Sequence, residues 1–122
     1  MRLRQRDDSQ LYYLSYLIMS NWIDVAAEAD LFEGAGIGVM PSHHDIAIFK
    51  VDDGVFAINN ECSHGNAKLC DGFVEGNFVE CPFHQALFDV RDGSVACGPA
   101  TEPAKTWPVK IEGGRVYLDL AA

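Results

Sequence analysis

Residues 61–85 read ECSHGNAKLCDGFVEGNFVECPFHQ. Cys62 and His64 form one pair, and Cys81 and His84 form another, so two of the four Cys and two of the four His in the chain fall in matched pairs. Between the pairs, Phe73-Val74 and Phe78 to Cys81 flank Glu75-Gly76-Asn77, which reads as a hairpin. The first pair follows a strand predicted to end near Asn59. The second follows the strand that begins near Phe78. Both pairs are thus expected on loops just past strand ends, where a rigid scaffold can present metal ligands without distorting its sheet.

The same reading extends outward. Asp45 to Val51 and Gly54 to Ile58 flank Asp52-Asp53-Gly54, a strong hairpin signal. Leu87 to Val90 and Ser94 to Cys97 flank Arg91-Asp92-Gly93, and Trp107 to Ile111 and Arg115 to Leu120 flank Glu112-Gly113-Gly114. A first strand is expected over Trp22 to Val25, and only Ala26 to Phe32 suits a helical turn. Four hairpins at this density predict an all-β domain, an antiparallel sandwich or barrel. Pro99, Pro103 and Pro108 predict a restrained loop over Cys97 to Pro108.

The chain has 122 residues, room for one core. Its net charge of −9 disfavours nucleic acid, which needs a basic face. The longest apolar run, Leu11 to Met19, is too short to span a bilayer. With Arg2, Arg4 and Arg6 ahead of it, that run resembles a signal peptide only weakly. Cleavage at the small-residue site Ala27-Glu28-Ala29 would remove the first strand. The preferred reading takes residues 1–18 as an extension upstream of a natural start at Met19. The domain then runs over 19–122.

Two thiolates and two imidazoles can hold one tetrahedral zinc, or a [2Fe–2S] cluster with two Cys on one iron and two His on the other. A site without metal is the third reading. Zinc sites of two Cys and two His usually group each ligand type, with the His pair on a helix. Here Cys and His alternate and no helix is predicted to carry either His.

The stretches CSHG at 62–65 and CPFHQ at 81–85 resemble the two cluster-binding loops of Rieske proteins. From Glu80 onward, ECPFHQALFDVRDGSVACGPATEPAKTWPVKIEGGRVYLDL is similar to the ferredoxin components of bacterial aromatic-ring-hydroxylating dioxygenase systems, the naphthalene dioxygenase type in particular. The resemblance covers roughly residues 21–120. It implies a Rieske-type fold with two cluster-binding loops at one tip and one [2Fe–2S] cluster. Cys62 and Cys81 would bind the inner iron, and His64 and His84 the outer iron. Pro99 would belong to a third loop covering the cluster. Gly65, Asn66, Pro82, Phe83 and Gln85 would surround the two His as a small contact face. The partners implied are a flavin-dependent NAD(P)H reductase and a terminal oxygenase, met in turn by a monomeric, cytoplasmic carrier.

High-potential Rieske proteins have a disulfide between the loops and a Ser and a Tyr that donate to sulfur. The corresponding residues here are Ala67 and Phe83, Ala86, and Phe88. None supplies the bond or the donor, so a potential near the low end of the range, roughly −150 mV, is expected. Cys70 and Cys97 read as small side chains rather than a disulfide pair. His43 and His44 read as surface residues of a turn, and Asp71 and Glu75 as acidic groups able to steer a partner. The glycines of GAGIG at 34–38 precede a strand, so they form no dinucleotide site. No nucleophile or acid–base pair stands beside the ligands, which points to an electron shuttle rather than a catalyst. Two alternatives differ in kind. One is the small Rieske subunit of an assimilatory nitrite reductase, held in one tight complex. The other is a structural zinc module, which would be colourless.

Overall fold

The computed structural model describes residues 21–62, 67–83, 85–98 and 102–121. The expected extension at 1–18, the residues His64, Gly65, Asn66 and His84, and Pro99 lie outside these.

The described chain is built of short strands: β1 (Trp22–Ala27), β2 (Gly36–Val39), β3 (Ile46–Val51), β4 (Gly54–Asn59), β5 (Phe73–Glu75), β6 (Phe78–Glu80), β7 (Leu87–Asp89), β8 (Val95–Cys97), β9 (Thr106–Trp107), β10 (Val109–Glu112) and β11 (Arg115–Asp119). They form three sheets, ordered β1-β11-β10, β2-β3-β4-β9 and β5-β6-β7-β8, and neighbouring strands run antiparallel. Among the described residues there is no α-helix, and no helix long and apolar enough to cross a membrane. The expected all-β fold is borne out.

The middle sheet organises the rest. Successive residues of a strand point to opposite faces, and β3, IAIFKV, is apolar at nearly every position. Ile46 and Ile48 pack with Ala57, Trp107, Val116 and Leu118. Ala47, Phe49 and Val51 pack with Ile58, Val79 and Phe88. One strand therefore serves two cores, one shared with β1-β11-β10 and one with β5-β6-β7-β8. Each fully buried Ile or Phe contributes about 1.5–3 kcal/mol, so the strand that feeds both cores dominates the packing. The register pairs Gly36 with Phe49. A Cβ at Gly36 would lie 2.4 Å from the Phe49 ring, so glycine leaves the notch that the ring fills.

Most hairpins fall where the turn residues put them. The last differs. Trp107 was expected to open its first strand, but Trp107 pairs with Ala57 of β4, and the hairpin begins at Val109 opposite Leu118. Pro108 stands between them, has no N–H to continue a ladder, and lets the chain change sheets there. One-turn 3-10 helices at Pro41–His43 and Leu69–Asp71 accompany the expected one at Glu28–Asp30. His43 and His44 are exposed, although the His44 ring rests 4.8 Å from that of Trp107. Cys70 and Cys97 are not bridged; the first is half-buried, which pushes its thiol up, and the second is exposed.

Arg91 joins two turns, reaching Asp89 at 2.8 Å and Asp53 at 3.0 Å. Asp89 is held below the usual carboxylate range, chiefly by that guanidinium.

Candidate metal centre

The loops after β4 and β6 share one construction. In the first, the Cys62 N–H donates to the Ala67 carbonyl at 2.9 Å; in the second, the Cys81 N–H donates to the Ala86 carbonyl at 2.8 Å. Each bond closes a loop from a Cys to the Ala five residues on. Both Cys lie at the root of their loop, 3% and 0% exposed, in the same apolar core as Ala67, Leu69, Ala86 and Phe88. The structure thus brings Cys62 and Cys81 together in one buried region.

What braces the loops differs. The first is bolted by polar groups. The Asn60 carboxamide accepts from the Cys70 N–H at 2.8 Å and donates to Asp45 at 2.9 Å. Its backbone N–H donates to the Asp45 carbonyl at 2.9 Å, and its own carbonyl accepts from the Leu69 N–H at 2.6 Å. Lys68, on the outgoing leg, pairs with the other oxygen of Asp45. The hydrogen bond from Lys68 is the main cause that holds the Asp45 carboxyl below its usual range, and the same contact raises Lys68. The second loop shows a different pattern. The Gln85 N–H returns to the Cys81 carbonyl at 3.0 Å, with Gln85 at a φ of 59°, and Ala86 and Phe88 fix its exit by burial.

The flanks of the third loop are also held. The Ala104 N–H donates to the Gly93 carbonyl at 2.8 Å, and the Asn59 N–H to the Lys105 carbonyl at 2.8 Å. Gly93 has a φ of 76°, and a Cβ there would lie 2.0 Å from the Ala104 carbonyl oxygen. The turn at 91–93 can therefore receive the segment beyond Pro99 only as glycine.

Of the residues singled out in the sequence, Pro82, Phe83 and Gln85 are exposed beside the second loop, Phe83 at 71%. Asp71 and Glu75 are exposed as expected. Among the described residues no group of three or more His, Cys, Asp and Glu converges, and both His of the motif lie outside those residues. The brace of Asp45, Asn60 and Lys68 has no counterpart in the sequence reading. A polar Asn directly after an apolar strand and two residues before Cys62 was the only local hint.

Two buried soft sulfur donors at the roots of twin loops fit an iron–sulfur centre. No hydroxyl stands at Ala86 or Phe88 to donate to them. Fold and site together define a small β domain with two Cys buried in one apolar core. The chain belongs to the Rieske [2Fe-2S] domain family, which matches residues 21–108, and membership implies one [2Fe–2S] Rieske cluster. The chain is 43% identical over 100 residues to the ferredoxin component of the naphthalene 1,2-dioxygenase system of Pseudomonas putida, covering 82% of this chain and 96% of that one. Among solved structures, a Sphingomonas yanoikuyae B1 ferredoxin matches with a TM-score of 0.77 and 37% identity, covering 80% of this chain and 97% of the other. A chain from the complex of reduced oxygenase and oxidised ferredoxin in carbazole 1,9a-dioxygenase matches with a TM-score of 0.74 and 33% identity, covering 80% and 92%.

Proposed function

We propose that this chain is a one-electron carrier. It accepts electrons from an NAD(P)H-dependent flavin reductase and delivers them to a terminal aromatic-ring-hydroxylating oxygenase. The observation that carries the reading is the pair of like-built loops with Cys62 and Cys81 buried at their roots, in a chain that aligns along most of its length with dioxygenase ferredoxins.

Cys62 and Cys81 would hold one iron as thiolates, and His64 and His84 would hold the other through one ring nitrogen each. When bound, the [2Fe–2S] cluster supplies one-electron chemistry. The chain does the rest. Cys62 and Cys81 would face the cluster from a buried, apolar region. Ala86 and Phe88 place apolar groups where hydroxyl donors would raise the potential, and Ala67 and Phe83 stand where a disulfide would join the loops, which supports a midpoint near the low end of the Rieske range, roughly −150 mV. Pro99 would belong to a third loop covering the cluster. Pro82, Phe83 and Gln85, with Gly65 and Asn66, form a contact face small enough for transient encounters. The carrier is a cytoplasmic monomer that leaves its tip open to each partner in turn.

Low-temperature EPR before and after dithionite, on anaerobically purified protein, tests the site. A rhombic signal of low average g that appears only on reduction supports it. A colourless, EPR-silent protein would sink it and turn the weight to zinc. The carrier role needs a second measurement: stopped-flow reduction by a flavin reductase, followed by oxidation on mixing with a dioxygenase terminal oxygenase. Co-purification in one tight complex with a single large enzyme, and no exchange between two partners, would instead favour the nitrite reductase subunit.

A further inference from the structure

Asp45 lies 17 residues before Cys62 in the sequence, yet it joins both legs of the Cys62 loop. On the incoming leg it accepts the Asn60 carboxamide at 2.9 Å. On the outgoing leg it accepts the Lys68 ammonium. Asn60 is 3% exposed and links three segments through four hydrogen bonds, two from its side chain and two from its backbone. A buried carboxamide is a costly choice unless every polar atom finds a partner in a required geometry. Here it finds them on both sides of a loop that also closes on itself through the Cys62–Ala67 bond and the Glu61–Lys68 bridge. The second loop reaches the same closure from Cys81 to Ala86 with apolar packing at its exit.

We infer that Asp45, Asn60 and Lys68 are positioning residues for the [2Fe–2S] centre. They set the Cys62 loop in its ligating shape and fix the charge beside it, so they govern how firmly the cluster is held and at what potential it works. The inference rests on the reading of Cys62 as a ligand. Its physical content is twofold. A loop held rigid by supporting groups keeps its ligands in register, and outer partners of metal ligands set affinity and electronics as well as orientation. The Asp45–Lys68 pair also cancels a carboxylate against an ammonium. Removing one member alone leaves the other's charge near the centre, and the potential of such a cluster follows local charge.

The test uses the whole holoprotein. Asp45→Asn and Lys68→Met are made singly and together, with Asn60→Ser, the conservative Lys68→Arg, and Asp24→Asn as a control. Asp24 pairs with Arg115 at 2.8 Å between β1 and β11, an exposed ion pair away from the loops. Three quantities are read: midpoint potential, the g-values of the reduced protein, and the half-life of visible absorbance under an iron chelator. Asp45→Asn should raise the midpoint and Lys68→Met should lower it, with the double variant lying between them. Asn60→Ser should shift the g-values and shorten the half-life several-fold. Lys68→Arg and Asp24→Asn should match the parent. If Asp45→Asn, Lys68→Met and Asn60→Ser lower thermal stability but leave potential, g-values and half-life at parent values, the residues are structural only and the inference is overturned. Cys62→Ser tests the underlying reading separately. A Rieske signal that survives it removes Cys62 as a ligand, whatever the brace variants do.

Discussion

The two Cys loops close with the same bond across the same number of residues, yet different forces hold them. The loop at Cys62 is pinned by a carboxamide and an ion pair that reach into β3's approach. The loop at Cys81 is pinned by burial of Ala86 and Phe88. The difference follows from where each loop sits in the chain. Cys81 lies in the connection from β6 to β7, whose strands pair with each other, so the sheet itself closes that loop. Cys62 leaves β4 toward β5, which belongs to another sheet. Across that crossing stand only the Cys62–Ala67 bond and the short Glu61–Lys68 bridge among the described residues, and the side chains of Asp45, Asn60 and Lys68 reinforce them.

The comparison can be broken most sharply at the sulfurs. Cys62→Ser and Cys81→Ser should each abolish the reduced rhombic EPR signal entirely, because each loop offers one thiolate and neither can replace the other. Signal retained in either variant would show that the loops are not equivalent as ligands.

Next in size is the apolar support of the second loop. Phe88 is fully buried between the strands that carry it and the core under both Cys. Phe88→Ala should cost about 3–5 kcal/mol in denaturant unfolding, with loss of cluster at lower denaturant than the parent. A cost under about 1 kcal/mol would mean that burial is not what holds this loop.

Acid separates the loops by a smaller effect. Lys68 holds the Asp45 carboxyl below its usual value. A carboxylate lowered in the folded state stabilises above its unfolded pKa, and that stabilisation is lost as pH falls through the folded value. The brace should therefore be intact at neutral pH and weaken below about pH 4. Asp89, held low by Arg91, titrates in the same direction, so a melting temperature would mix the two. Amide protection is the cleaner readout. Leu69 and Cys70 should lose protection in acid before the Cys81 amide does; equal loss would contradict the assignment of the Asp45 brace to the Cys62 loop.

Salt should give the smallest change. Asp71 and Glu75 are exposed on the stretch between the loops, and reduction by a partner with a basic surface should slow by a few-fold as salt screens the attraction. A rate flat in salt would leave docking to the apolar residues around Phe83.

Much of this was legible from residue order. Turn glycines and alternating apolar residues mark hairpins because both act within a few residues. The ligand pairs stand out because a metal centre of this kind needs scarce residue types at short spacing on each loop. Tertiary structure decided what those local signals cannot carry. β3's apolar run is compatible with any buried strand, and only the stacking of three sheets sends Ile46 and Ile48 to one core and Ala47 and Phe49 to the other. Trp107 read as part of the last hairpin because its neighbours alternate correctly, but pairing with Ala57, 50 residues away in the sequence, claimed it first. The brace at Cys62 joins residues separated by 15 and 23 positions. Its partners share no period, turn or motif. They meet because β3 begins just after Asp45 where β4 ends just before Asn60, which brings the carboxylate to the mouth of the crossing.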